Sequence, residues 1–196
     1  MRLRASLVAL AGMALCAAIG LPQAQTAEAP QPGPEVEKLD YFVGAWSMEG
    51  ETKETAAGPA EKVSGRDMCR WMPGKFFVTC RLEQKGPMGP VMALGVMGYD
   101  PEKKVYTSSS FNNLGTTETA TGTFEKGTWT WSSDRVAGGK PLKSRIVMSD
   151  TKPSSYKFRW ETSENGNSWK TKMSGNVTKL QTKSRETEKK NKEEER

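Results

Sequence analysis

From Ala45 to Val177 the chain is written in a two-residue rhythm, and that rhythm leaves few folds open. Successive side chains of a strand point to opposite faces. Trp46, Met48 and Gly50 fall on one face, and Ser47, Glu49, Glu51 and Lys53 on the other. The same alternation sets Leu142, Ser144, Ile146 and Met148 against Lys143, Arg145 and Val147. It sets Tyr156, Phe158 and Trp160 against Lys157, Arg159 and Glu161, and Trp169, Thr171, Met173, Gly175 and Val177 against Lys170, Lys172 and Ser174. Turn signals punctuate the runs: Pro73-Gly74, residues 86–90, 100–103 and 112–115, Lys126-Gly127, residues 138–141, Lys152-Pro153 and residues 165–167. About ten short strands at such spacing predict a barrel or a sandwich. A parallel sheet would need helical crossovers, for which there is no room. Closure into a barrel leaves no exposed strand edge.

Only one stretch carries a helical period. Val36, Leu39, Phe42 and Val43 are spaced for one face of a helix over residues 35–43, with Pro34 before it and Gly44 after it. The expected fold is therefore all-β: a single antiparallel barrel of about ten strands with a short N-terminal helix capping one end, preferred for its closed edges over a sandwich that the pattern alone leaves open.

The ends read differently. Arg2 and Arg4 precede an uncharged apolar run over residues 5–21, and Ala27-Glu28-Ala29 offers a small-residue cleavage site. This is the pattern of a secretory signal over residues 1–29, with an uncleaved anchor as the alternative. Leu15 stands before Cys16 where lipoprotein processing wants a small residue, so lipidation is not expected. Residues 30–34 read as a disordered linker, residues 35–180 as the barrel domain, and residues 181–196 as a charged disordered tail. The expected location is exported, periplasmic or secreted, without stable membrane insertion after signal cleavage.

Composition then removes whole classes of function. The chain has no histidine, which excludes His-dependent triads, proximal-His haem and His-ligated zinc. Arg2, Arg4 and Glu28 leave with residues 1–29, so 27 basic and 22 acidic residues remain, a net charge of +5. The last eighteen residues hold seven basic and five acidic groups, leaving +3 on the folded part. No cluster of Lys and Arg with stacking aromatics is evident, so no nucleic-acid partner is expected. No cofactor and no metal site are expected either, and the chain reads as a monomer or weak dimer.

Two cysteines remain after residue 29, Cys69 and Cys80. If residues 73–76 form a hairpin loop, Met72 faces Phe77 and Cys69 falls opposite Cys80, within disulfide reach. Such a bridge is worth roughly 2–3 kcal/mol in the chain-entropy account. A redox-active pair is the alternative, although no Cys-x-x-Cys spacing is present.

The carboxylates do not form a catalytic pair. Glu49, Glu51, Glu61, Glu118 and Glu161 are expected to point outward beside lysines; Asp67 alone shares a face with Cys69 and Trp71. The aromatic set carries the functional expectation: Trp129, Trp131, Phe158, Trp160, Trp169 and Met173 as the contact lining of an interior site for a small apolar or amphipathic molecule. A filled core without a ligand is the first alternative, and an enzyme acting on a lipid-like or cyclic substrate the second.

Several pieces together carry a family resemblance. They are Leu39-Asp40-Tyr41-Phe42-Val43-Gly44-Ala45-Trp46, the hairpin from Cys69 to Cys80, Gly95-Val96-Met97-Gly98-Tyr99-Asp100-Pro101 with Val105-Tyr106, Gly122-Thr123-Phe124 before Thr128-Trp129-Thr130-Trp131, and Asn165-Gly166 before Trp169. In this order they resemble the bacterial domain of unknown function 1579 family, whose members are secreted lipocalin-like or calycin-like barrels. The resemblance covers roughly residues 36–180 and implies that fold with no agreed activity. Gly44-x-Trp46 also resembles the lipocalin opening, in which the tryptophan plugs the closed end under a basic residue near the last strand. Lys170, Lys172 and Lys179 are the candidates for that cover here.

Overall fold

The computed structural model describes residues 30–181 apart from Ala56, Ala57 and Met88. The proposed signal and nearly all of the charged tail lie outside the described residues. One turn of α-helix, α1 (Pro34–Glu37), runs into a 3-10 turn (Lys38–Phe42). The single helix expected over 35–43 is therefore two tight turns, and Pro34 begins the first instead of belonging to a linker. Ten strands follow: β1 (Gly44–Thr52), β2 (Lys62–Trp71), β3 (Val78–Gly86), β4 (Gly89–Asp100), β5 (Val105–Asn112), β6 (Thr117–Glu125), β7 (Thr128–Ala137), β8 (Lys140–Lys152), β9 (Ser155–Ser163) and β10 (Lys170–Lys179). Each pairs antiparallel with its chain neighbours, and β1 pairs with β10 to close the barrel.

Short connections are what make this meander possible. Lys126 and Gly127 both adopt positive φ, as do Gly138 and Gly139, the geometry that suits two-residue hairpins to the strand twist. Gly44 sits at φ +121, and a Cβ there would lie 2.8 Å from Lys179 Cε. Only glycine allows the chain to swing from the 3-10 turn into β1 beneath that lysine.

The register sends the expected side chains inward. Trp46 pairs with Asp67, Asp67 with Leu82, and Cys69 with both Gly44 and Cys80. The Cys69–Cys80 disulfide is formed. At the end where β1 begins, Leu39 and Phe42 plug the barrel and pack with Val78, Tyr106, Trp129 and Trp131. Hydrogen bonds from four side chains pin the plug. Trp46 Nε1 donates to the Phe42 carbonyl at 2.8 Å, and Trp71 Nε1 to Asp40 Oδ1 at 2.8 Å. Tyr106 donates to Glu35 Oε2 at 2.7 Å, and Tyr41 to the Ser155 carbonyl at 3.2 Å. A second cluster, Trp46, Phe158 and Val177 with Met48 and Met173, fills the wall next to it.

Glycines opposite aromatics make this packing possible. Trp131 pairs with Gly122, where a Cβ would lie 2.7 Å from the indole, and Phe158 pairs with Gly175, where it would lie 2.8 Å from the ring. Each ring packs where a side chain on the partner strand would collide with it, and at Gly175 the Glu49 carbonyl of β1 lies closer still to where a Cβ would sit.

Candidate functional site

Above the plug the interior changes character. On the wall formed by β4 to β8, the inward residues become small and polar: Ser108 and Ser110 on β5, Ala120 and Glu118 on β6, Ser133 on β7, Ser144 on β8. They surround a chamber of about 170 Å³. Its floor is apolar, made by Met97, Ala120, Trp131, Ile146 and Met148; the serines and Glu118 form the polar side. Volume is left here because serine and alanine occupy positions where the plugged end places tyrosine and tryptophan.

Glu118 is not a loose acid. It forms an ion pair with Arg135 and accepts from Ser133 Oγ at 3.0 Å. The expectation that Glu118 points outward is thus corrected. It shares its face with Ala120, Gly122 and Phe124, while Thr117, Thr119, Thr121 and Thr123 take the outside. Arg135 also lies 5.7 Å from the centre of the Trp160 ring.

The six expected contact residues are distributed unevenly. Trp131 lines the chamber. Trp129, 1% exposed, lies beneath it as core, its ring stacked on Trp131 with centres 6.0 Å apart. Trp160, on β9 beside that wall, donates from Nε1 to Ser144 Oγ at 2.8 Å. Phe158 and Met173 belong to the Trp46 cluster. Trp169 is elsewhere. It precedes β10, its Nε1 donates to the Gly166 carbonyl, and Arg145 Cζ lies 4.0 Å over its ring. A β-bulge between Thr171 and Met173 explains this: Met173 pairs with inward Trp160, yet Thr171 pairs with outward Glu161. The extra residue resets the alternation, so Trp169 walls an outer groove beside Lys143 and Asp134 instead of facing the interior.

The same outer cluster corrects Glu161. It points outward as expected but is 7% exposed, held by Arg145 at 2.7 Å and Arg159 at 3.1 Å. Burial works to raise its pKa; the hydrogen bonds from the two arginines outweigh that and hold the carboxyl below the usual range.

Asp67 is the inward acid singled out by the sequence. Its Oδ1 is buried with no hydrogen-bond partner. Burial pushes its pKa up to about 6, against a hydrogen bond from the Met68 backbone that works to lower it. Burial also raises Tyr156, and the Asp67 charge adds to that shift. Asp67 with Cys69 and Cys80 is a group of potential metal-ligating atoms within 4.8 Å of one another, but the disulfide occupies both sulfurs. A metal would need the thiolates.

At the plugged end Lys179 Nζ lies 5.1 Å from the centre of the Trp46 ring. Of the three lysines considered for that cover, this is the one in place.

The fold has solved counterparts. Rv2717c from M. tuberculosis is similar at 11% identity and TM-score 0.53, covering 76% of this chain and 99% of that one. The S-type phycobiliprotein lyase CPES from Guillardia theta is similar at 11% identity and TM-score 0.51, covering 75% of this chain and 93% of that one. At these identities the likeness concerns the fold alone. Among curated proteins none matches. Residues 31–179 match the family described as protein of unknown function (DUF1579), and the chain belongs to that family.

Proposed function

We propose that this protein is an exported barrel that holds one compact apolar or amphipathic molecule in its interior chamber. The observation that carries the reading is the chamber itself: about 170 Å³ with an indole and two thioethers below and serine hydroxyls beside it. A dry cavity of about 150 Å³ is known to take a benzene-sized guest, whereas drug-sized ligands need roughly 300–1,000 Å³. The volume therefore favours a molecule of one ring or a short chain, bearing a hydroxyl or carbonyl that the serines can meet. Met97 and Met148 are flexible enough to let the floor adapt. Trp131 is the principal contact; Trp160 reaches the lining only through Ser144, Trp129 packs beneath Trp131, and Phe158 and Met173 belong to the adjoining Trp46 cluster. The likeness to a barrel named as a phycobiliprotein lyase is compatible with an interior ligand, and the disulfide suits an oxidising, exported setting.

The second reading is a filled-core structural or interaction protein. Trp129, packed against Phe42, Tyr106, Phe124 and Trp131, favours it, because the plugged half of the interior is already full.

Titration with a panel of small aromatic and short aliphatic alcohols, ketones and phenols, read by tryptophan fluorescence and by thermal shift, separates the two. Binding that is abolished by Ala120→Phe, which places a ring in the chamber, supports the ligand reading. No response across the panel by either readout removes it.

A further inference from the structure

The outer wall opposite the bulge carries a surface that the interior does not account for. Seven of the ten largely exposed large apolar side chains among the described residues belong to β2–β5 and the turns flanking them. The register places them together. Met68 pairs with Arg81, Arg81 with Leu94, and Leu94 with Phe111, one outward row across four strands. The next row is Arg66, Glu83 and Met92. Met72 and Phe77 extend the surface at the β2–β3 turn, where the Met72 N–H donates to the Phe77 carbonyl. These side chains are 40–56% exposed.

Cations are set among them. Arg66, Arg70 and Arg81 point outward on β2 and β3, flanked by Lys75 and Lys85; Glu83 is the single carboxylate on the outward face of those two strands. Glu83 is the register partner of Arg66, but among the described residues none of the three arginines closes an ion pair, and the register partners of Arg70 and Arg81 are uncharged. On the β7–β9 wall the charges are matched instead: Lys143 forms an ion pair with Asp134, Lys157 with Asp150, and Arg145 and Arg159 with Glu161. The sequence showed no cluster of Lys and Arg, because these cations come from two strands and a turn that only the register brings together.

We infer that this face is a peripheral docking surface for a lipid bilayer bearing anionic headgroups. Contiguous exposed apolar surface marks an interaction site. A face that combines Met, Leu and Phe with unpaired arginines suits the headgroup boundary, where apolar side chains enter the acyl edge and cations meet phosphate. A second copy of the chain is a poor occupant, since a two-fold contact through this face would bring arginines against arginines.

Vesicle sedimentation tests the inference. Every strand of the barrel has both neighbours within residues 31–180, so a chain beginning at Pro30 is used, beside the full chain. Vesicles of phosphatidylcholine alone are compared with vesicles of phosphatidylcholine and phosphatidylglycerol. The expected result is preferential binding to the anionic vesicles that weakens as salt is raised. Arg70→Glu with Arg81→Glu should lower partitioning more than tenfold, given about fivefold per cation near such a surface. Leu94→Ser with Phe111→Ser should lower it independently at unchanged charge. Lys143→Glu with Lys157→Glu, matched in charge but on the β8–β9 wall, should retain most of it. Circular dichroism and a thermal melt verify folding of each variant. Equal binding to both vesicle types overturns the inference, as do patch variants that bind like the β8–β9 control. A change of oligomeric mass in Leu94→Ser/Phe111→Ser without a change in vesicle binding would assign the face to self-association and reject the lipid.

Discussion

Lys179, the last residue of the last strand, lies with its ammonium 5.1 Å from the centre of the Trp46 ring on the first strand. That contact lies at the seam where β1 and β10 close the barrel, and Trp46 and Lys179 are register partners there. The buried indole also donates to Phe42, so one side chain joins plug, seam and core. Trp46→Ala should cost about 3–5 kcal/mol. Lys179→Ala removes only a partly exposed cation–π contact and should cost about 0.5–1 kcal/mol. Denaturant unfolding measures both, and similar losses would refute the ranking.

Asp67 makes stability depend on pH. Its folded pKa, about 6, lies above the ordinary 3.8, so the folded state binds the proton more tightly than the unfolded chain. Stability from this group is greatest below about pH 4, falls as pH rises towards 6, and stays reduced above that by roughly 3 kcal/mol. Asp67→Asn removes the titration. The variant should gain stability over the wild type at pH 7–8 and little at pH 4, measured by urea unfolding across that range. Wild-type and variant curves that run parallel would exclude Asp67 as the source.

The disulfide joins directly paired residues of β2 and β3. Replacing both cysteines by alanine should lower stability by about 2–3 kcal/mol in the chain-entropy account. Mass spectrometry of the purified chain should find Cys69 and Cys80 oxidised together.

Gly122 tests the fit of the indole floor. A methyl group there would meet Trp131 at 2.7 Å. Gly122→Ala should destabilise by about 1–3 kcal/mol through overpacking and should shift the tryptophan emission of the folded protein. Gly95, also inward, would bring its new Cβ no closer than 3.9 Å to any neighbour. Gly95→Ala is the control and should cost much less.

Glu161 holds two arginines on the outer wall. Glu161→Gln keeps the shape and removes the charge, so Arg145 loses the partner that seats it over Trp169. The expected outcome is a more solvent-quenched Trp169, measured by acrylamide quenching, with the interior tryptophans unaffected.

Much of this architecture was legible in the chain. The alternation of Tyr156, Phe158 and Trp160 with Lys157, Arg159 and Glu161 reports which face meets water, because a strand has no other period. The Cys69–Cys80 match follows from counting back from a four-residue turn. Asp67 was visible as the acid on an apolar face. Glu118 was legible too, through Ala120, Gly122 and Phe124 on its own face, but lysine-flanked carboxylates elsewhere obscured that signal.

What the amino-acid sequence determined by itself was the set of strands, their turns and the side of the wall on which most residues stand, since these depend on local geometry and on nearest neighbours along the chain. Closure of β1 on β10, the bulge that turned Trp169 outward, the arginines that bury Glu161 and the volume left among Ser108, Ser110, Ser133 and Ser144 were decided only by tertiary structure. The reason is physical: a single inserted residue inverts the parity of everything beyond it, and a cavity is the difference between a wall's circumference and the side chains that happen to meet across it.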